Sequence, residues 1–145
     1  MIFEEKRYVM IKSIVKDEAF LAIKSAPATK MDTQVAQDLK DTLQAYSDQC
    51  VGMAANMIGQ NRAAIIVSVG PFDMVMLNPE IIEVSEPYET EEGCLSLNGL
   101  RSTTRYHKIT VRFDTPDFQE QIQEFTDWTA QIIQHECDHL EGIII

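Results

Sequence analysis

Three residues near the end of the chain have the types and spacing to do metal chemistry. In Gln134-His135-Glu136-Cys137-Asp138-His139 the two histidines stand four apart, within the pattern His-Glu-x-x-His. On a helix that spacing puts both imidazoles on one face, where they can bind one divalent metal together. Glu136, about 100° further round, can reach a water on that metal and take its proton. The same five-residue pattern also arises in helices whose histidines are merely packed or solvated. A catalytic metal usually takes three protein ligands and keeps one position open, so the reading turns on a third ligand.

The candidates are Cys94, Cys50, His107 and the many acids. Cys94 stands out because Gly93 precedes it and a polar loop follows, which would present its sulfur. A thiolate also binds zinc or ferrous iron well. The competing role is a buried thiol. Cys137 sits about 200° round the helix from His135, away from any metal held there, and reads as structural. His107 falls on the apolar face of a strand and reads as a satisfied, partly buried histidine. Three cysteines form no closed set of pairs, so disulfides are not expected.

Several elements must position these groups. Asp17 is a plausible cap for a short helix ending before Pro27. Thr29-x-x-Asp32 resembles a capping box opening a helix to about residue 48, with Met31, Val35, Leu39, Leu43 and Tyr46 as its buried stripe. On that helix Asp38, Lys40, Asp41 and Asp48 fall mostly off the stripe. The Gly- and Ala-rich run Gly52-Met53-Ala54-Ala55 allows close backbone approach to a neighbouring element or a ligand. Residues 63–69 and 74–77 read as a hairpin, Asn78-Pro79 ends its second strand, and residues 81–84 make another. The acidic run Glu86 to Glu92 reads mostly as a solvated face. Residues 105–113 alternate clearly, with His107, Ile109, Val111 and Phe113 on one side. Phe118 to about Glu124 forms a further strand. Thr126 or Asp127 caps the final helix, whose stripe of Trp128, Ile132, His135 and His139 turns the two histidines towards the core. Gly142 stops the helix, and Ile143 to Ile145 is expected as an edge strand. Helix, strands, helix is the order of an α+β fold in which sheet packs on the metal-bearing helix.

Bulk properties narrow the setting. A chain of 145 residues with 45% hydrophobic and 24% charged residues suits one globular domain over residues 1–145. Its net charge of -11 disfavours direct nucleic-acid binding and anionic membranes. Met1-Ile2-Phe3-Glu4-Glu5 carries acids where a signal peptide carries bases, and no apolar run is long enough to span a membrane, so a cytoplasmic protein is expected.

Two stretches in register, Glu92-Gly93-Cys94-Leu95-Ser96 and Gln134 to Gly142, look like the second and third signature motifs of peptide deformylases. Gly52-Met53-Ala54-Ala55 resembles the core of the first, and the likeness runs from Asp17 to Gly142. The resemblance implies a peptide-deformylase-like fold of antiparallel sheets packed around a C-terminal metal-binding helix. It implies a metal held by Cys94, His135 and His139, commonly ferrous iron in the cell and often zinc or nickel in preparations. The substrate it implies is the N-formylmethionyl end of nascent chains, which makes the ribosome a candidate neighbour. Glu136 would take a proton from the attacking water and pass it to the leaving amine, with the Leu95 N–H steadying the oxyanion. Val51, Gly52 and Met53 would run alongside the peptide, and Arg101 would help bind its backbone.

The chain departs from the family's first motif, Gly-x-Gly-x-Ala-Ala-x-Gln, at two places. Cys50 replaces the first glycine and Met57 the glutamine, whose amide donates to the oxyanion. Methionine has no hydrogen to donate, so reduced activity is expected. Asn98 stands where the family usually has proline. Two alternatives stay open: a small His-Glu-x-x-His metallopeptidase, and a non-catalytic homologue that binds metal or formyl-peptides.

Overall fold

Residues 9–145 are described by the computed structural model; the acidic start Met1–Glu5 lies outside them. Asp17 caps α1 (Glu18–Leu21), its carboxylate accepting the Ala19 N–H at 3.0 Å. Thr29 and Asp32 close the expected capping box, but around a single 3-10 turn, Lys30–Asp32, after which α2 (Thr33–Ala45) begins. Val35, Leu39 and Leu43 are buried, whereas Met31, in the preceding turn, is 93% exposed. Asp38 and Asp41 are buried, against the expectation from periodicity. Gln34 and Gln37, one turn earlier, donate to them at 2.9 Å each, and Asp41 also accepts the Met10 N–H. Thr42 accepts the Lys12 N–H, so residues 10–12 lie across a face that the helical period assigns to solvent.

Five strands form one antiparallel sheet in chain order: β1 (Gly52–Ala54), β2 (Ala64–Val69), β3 (Phe72–Cys94), β4 (Leu97–Asp114) and β5 (Glu120–Thr126). Asn78-Pro79 does not end the second strand. The ladder between β3 and β4 instead shifts register between Leu77 and Glu80, where proline's missing N–H costs least. Asn78 adopts φ +50°, and its amide substitutes for a strand partner by bonding both the N–H and the carbonyl of Ala28. β5 starts later than expected because Phe118, at φ +58°, belongs to the turn that returns its N–H to Thr115. Ile109, Val111 and Phe113 point inward as predicted. His107, on the same parity, is nearly half exposed, stacks on Tyr88 and sets Nδ1 3.1 Å from Asp127.

The last helix, α3 (Asp127–Leu140), packs against β1, β2 and β4, with α2 over the neighbouring β2. Ile132, Ile133 and Leu140 are buried along it, while Trp128, expected in the inner stripe, is 59% exposed in its first turn. Gly142 stops the helix at φ +76°, and a Cβ there would lie 2.3 Å from the Ala22 carbonyl oxygen. Ile143 to Ile145 form no edge strand, because the Ile143 N–H closes back onto the Asp138 carbonyl. No described helix is long and apolar enough to cross a membrane.

Candidate metal centre

His135 and His139 occupy successive turns of α3 on its buried side, and Cys94 ends β3 at the two-residue turn Leu95-Ser96. The sheet thus brings one sulfur to two imidazoles. The two Nε2 atoms lie 3.3 Å apart, Cys94 Sγ is 3.4 Å from His139 Nε2, and all three donors fall within 4.8 Å. Ligands bound at zinc-like distances around a tetrahedral centre stand roughly 3.3–3.7 Å from one another. The donor set therefore fits a metal. Among the described residues, Cys50, His107 and Cys137 do not join this group. Burial pushes the Cys137 thiol up, as suits a structural residue.

Ring orientation is set from behind. His135 Nδ1 lies 2.8 Å from Glu92 Oε1, which leaves Nε2 facing the other two donors. Glu92 closes the acidic run expected as a solvated face, yet it is buried and accepts from Arg105 (Nη2 at 2.7 Å) and from Gln131 (Nε2 at 2.9 Å). Burial works to raise its carboxyl, but hydrogen bonds from His135, Arg105 and Gln131 outweigh it and hold the pKa down at about 2. Arg105 also donates to Asp138 at 2.7 Å, tying β4 to α3. Burial, then the charges of His135 and Arg105, drive His139 down, towards the neutral form that can ligate. Asn56 anchors that turn through its amide N–H to the His139 carbonyl at 2.8 Å.

Glu136 is buried, and its Oε1 has no hydrogen-bond partner among the described residues. Burial raises its carboxyl to about 7, with His135 pulling down and Glu92 pushing up. A base poised there suits proton exchange near neutral pH. Gly52 makes room for it: a Cβ at that position would lie 2.6 Å from Ile132 Cγ2 and 2.9 Å from Glu136 Oε2.

A cavity of about 440 Å³ opens over these groups, lined by Val51, Gly52 and Met57, by Leu95, and by Trp128 and Ile132 of α3. Met53 is fully buried and does not line it. Nor does Arg101, whose guanidinium contacts the Asn98 carbonyl at 3.3 Å and Glu18 at 3.9 Å. Backbone pairing fixes what β1 offers the cavity. The Val51 carbonyl accepts from Ser68 of the β2 side, so alternation turns the backbone groups of Gly52 outward. Two sulfurs lie on outward groups. Cys50 Sγ donates to the Gly52 carbonyl at 2.7 Å, and Met57 Sδ accepts the Ala54 N–H at 3.4 Å. Burial holds the Cys50 thiol up at about 11, so it keeps the proton it donates.

Residues 11–145 match the family model described as polypeptide deformylase. The peptide deformylase of Clostridium beijerinckii is 53% identical over 136 residues, covering 94% of this chain and 100% of that protein. The peptide deformylase of Natranaerobius thermophilus is 37% identical over 138 residues, covering 92% and 88%. The Met-Ala-Ser-bound class I type b peptide deformylase of Acinetobacter baumannii superposes with a TM-score of 0.84 at 29% identity, covering 94% of this chain and 97% of that one. The Thermotoga maritima peptide deformylase gives the same TM-score at 28% identity, covering 94% and 95%. Likeness over this length, in sequence and in fold, extends to the whole sheet and helix that bring Cys94 to His135 and His139, and the chain belongs to the peptide deformylase family.

Proposed function

We propose that this deformylase removes the formyl group from the N-terminal methionine of newly made polypeptides, with Cys94, His135 and His139 holding one divalent metal. The observation that carries the assignment of roles is the tight Cys94–His135–His139 cluster beside a buried Glu136 whose Oε1 has no partner among the described residues. When bound, the metal acidifies a water and polarises the formyl oxygen. Ferrous iron suits the mixed thiolate and imidazole set in the cell, and zinc or nickel can occupy it in preparations.

The protein's own groups do the rest. Glu136 accepts the proton of the attacking water and delivers it to the leaving amine. The Leu95 N–H donates to the oxygen that gains charge. Gly52 presents its outward backbone groups to the peptide, which adds as an extra strand on the edge of β1 away from β2, and Val51 borders that peptide in the cavity. Met53 and Arg101, off the cavity, take no part in this proposal. Met57 gives the oxyanion no donor, and a missing donor of that kind costs roughly 10²–10³ in rate, so turnover is slow. A cytoplasmic setting beside the ribosome fits such a substrate, and the charge of -11 opposes direct nucleic-acid binding.

Formate release from formyl-Met-Ala-Ser by the iron-loaded protein tests the assignment. Glu136→Ala should abolish it while retaining metal; wild-type turnover no faster than that variant would sink the enzymatic roles. A non-catalytic metal module would need a fourth protein ligand, and among the described residues the cluster has three. A panel of acetylated and internal peptides distinguishes a broader peptidase.

A further inference from the structure

Gln131 lies one turn before His135 on α3 and lines the same cavity. Its amide is held at both ends. The Tyr88 hydroxyl donates to Oε1 at 3.2 Å, and Nε2 donates to Glu92 Oε2 at 2.9 Å. The carboxylate can only accept here, so the amide has one orientation. These two bonds use one N–H and one lone pair, and an amide has a second of each. Trp128, Ile132 and Val51 give the cavity apolar lining, and its acids Glu91 and Glu92 only accept, so the Gln131 amide beside Glu92 is a donor that a substrate side chain can meet.

The formyl carbon must sit beside Glu136 and the three donors. The side chain of the first residue branches one Cα away, and α3 offers it a wall of Trp128, Gln131 and Ile132 to run along. Residue 131 is about 6 Å along the helix axis from residue 135, within the span of a methionine side chain.

We infer that Gln131 determines specificity: its second amide N–H donates to the side-chain sulfur of the substrate's first residue. Methionine is then read as a sulfur-bearing side chain and not only as an unbranched apolar one. This rests on the cavity being the formyl-peptide site. Thioethers are weak acceptors, but this chain already holds one such contact, from the Ala54 N–H to Met57 Sδ.

Norleucine replaces the sulfur by a methylene of similar size, so it isolates the contact. Calorimetry on the metal-loaded protein compares the product tripeptide Met-Ala-Ser with its norleucine analogue, and kcat/KM compares the two formylated forms. Wild type should favour methionine about three- to tenfold in both measurements, the range of one modest hydrogen bond. Gln131→Leu should bring the ratio to within about twofold of unity with an unchanged circular dichroism spectrum. Tyr88→Phe, which frees one end of the amide without removing it, should retain part of the preference. A variant that fails to fold leaves the wild-type ratio and Tyr88→Phe to decide. Equal treatment of the two tripeptides by wild type, binding of neither, or an unchanged ratio in Gln131→Leu overturns the inference. Sulfur-selective binding without turnover of either formylated peptide would instead sink the deformylase roles and leave Gln131 standing.

Discussion

Met57 and Gly52 show how single positions set the chemistry. The Met57 sulfur turns to the Ala54 N–H and offers nothing to a developing negative charge. Met57→Gln should therefore raise kcat at least several-fold, towards the roughly 10²-fold or more that one oxyanion donor supplies. Steady-state formate release checks this, and no change would mean that another donor already serves. At Gly52 the constraint is steric. Gly52→Ala should displace Glu136, since its Cβ would lie 2.9 Å from Oε2. Formate release should drop by about 10²-fold, with metal content unaffected. Glu92 acts one step further back, through His135. Glu92→Ala should weaken metal affinity by about 10- to 100-fold in chelator competition. The grouping of Cys94, His135 and His139, with Glu136 beside it, was legible in the sequence because helical spacing and two motifs carry it. Glu92 was not, since an acidic run displays charge while its partner Arg105 lies 13 residues away across a ladder.

Arg105 joins three elements, bonding Glu92 of β3 and Asp138 of α3 from its place on β4. Its side chain is 4% exposed. Arg105→Met should cost roughly 3–5 kcal/mol in denaturant unfolding, because it strands a buried carboxylate rather than merely removing a contact. Replacing Glu92 as well should cost less than the sum of the two single changes. Elements with a clean period were legible: α2 buries Val35, Leu39 and Leu43, and β4 buries Ile109, Val111 and Phe113, although His107 on the same parity stays nearly half exposed. The misreadings have a common physical origin in neighbours that no period records. Residues 10–12 cover Asp41 and Thr42. The Asn78 side chain holds Ala28 where a strand was expected to end. The Ile143 N–H finds the end of α3 before it can find a strand.

For the molecule as a whole, a metal held by the cluster would be linked to the fold. A ligand that binds only the folded chain stabilises it by about 2.7 kcal/mol at a hundredfold excess over Kd. Loading metal should then raise Tm by roughly 5 to 10 °C for a chain of this size. Scanning calorimetry on chelated and reloaded protein checks it, and equal Tm values would mean that the three donors hold no metal. Overall architecture was the most legible level, because helix, strands, helix follow in order and the sheet keeps that order. The same order has a consequence in time. Cys94 closes a hairpin whose strands meet over a two-residue turn, contacts that a chain makes early. His139 lies 45 residues further on, in the last helix. During synthesis at about 5–20 residues per second, the sulfur waits several seconds for its imidazoles. A metal that needs all three donors would therefore arrive too late to template this hairpin. On the roles proposed above, an ion would be taken up after this hairpin has formed, when the docking of α3 brings the imidazoles to the sulfur.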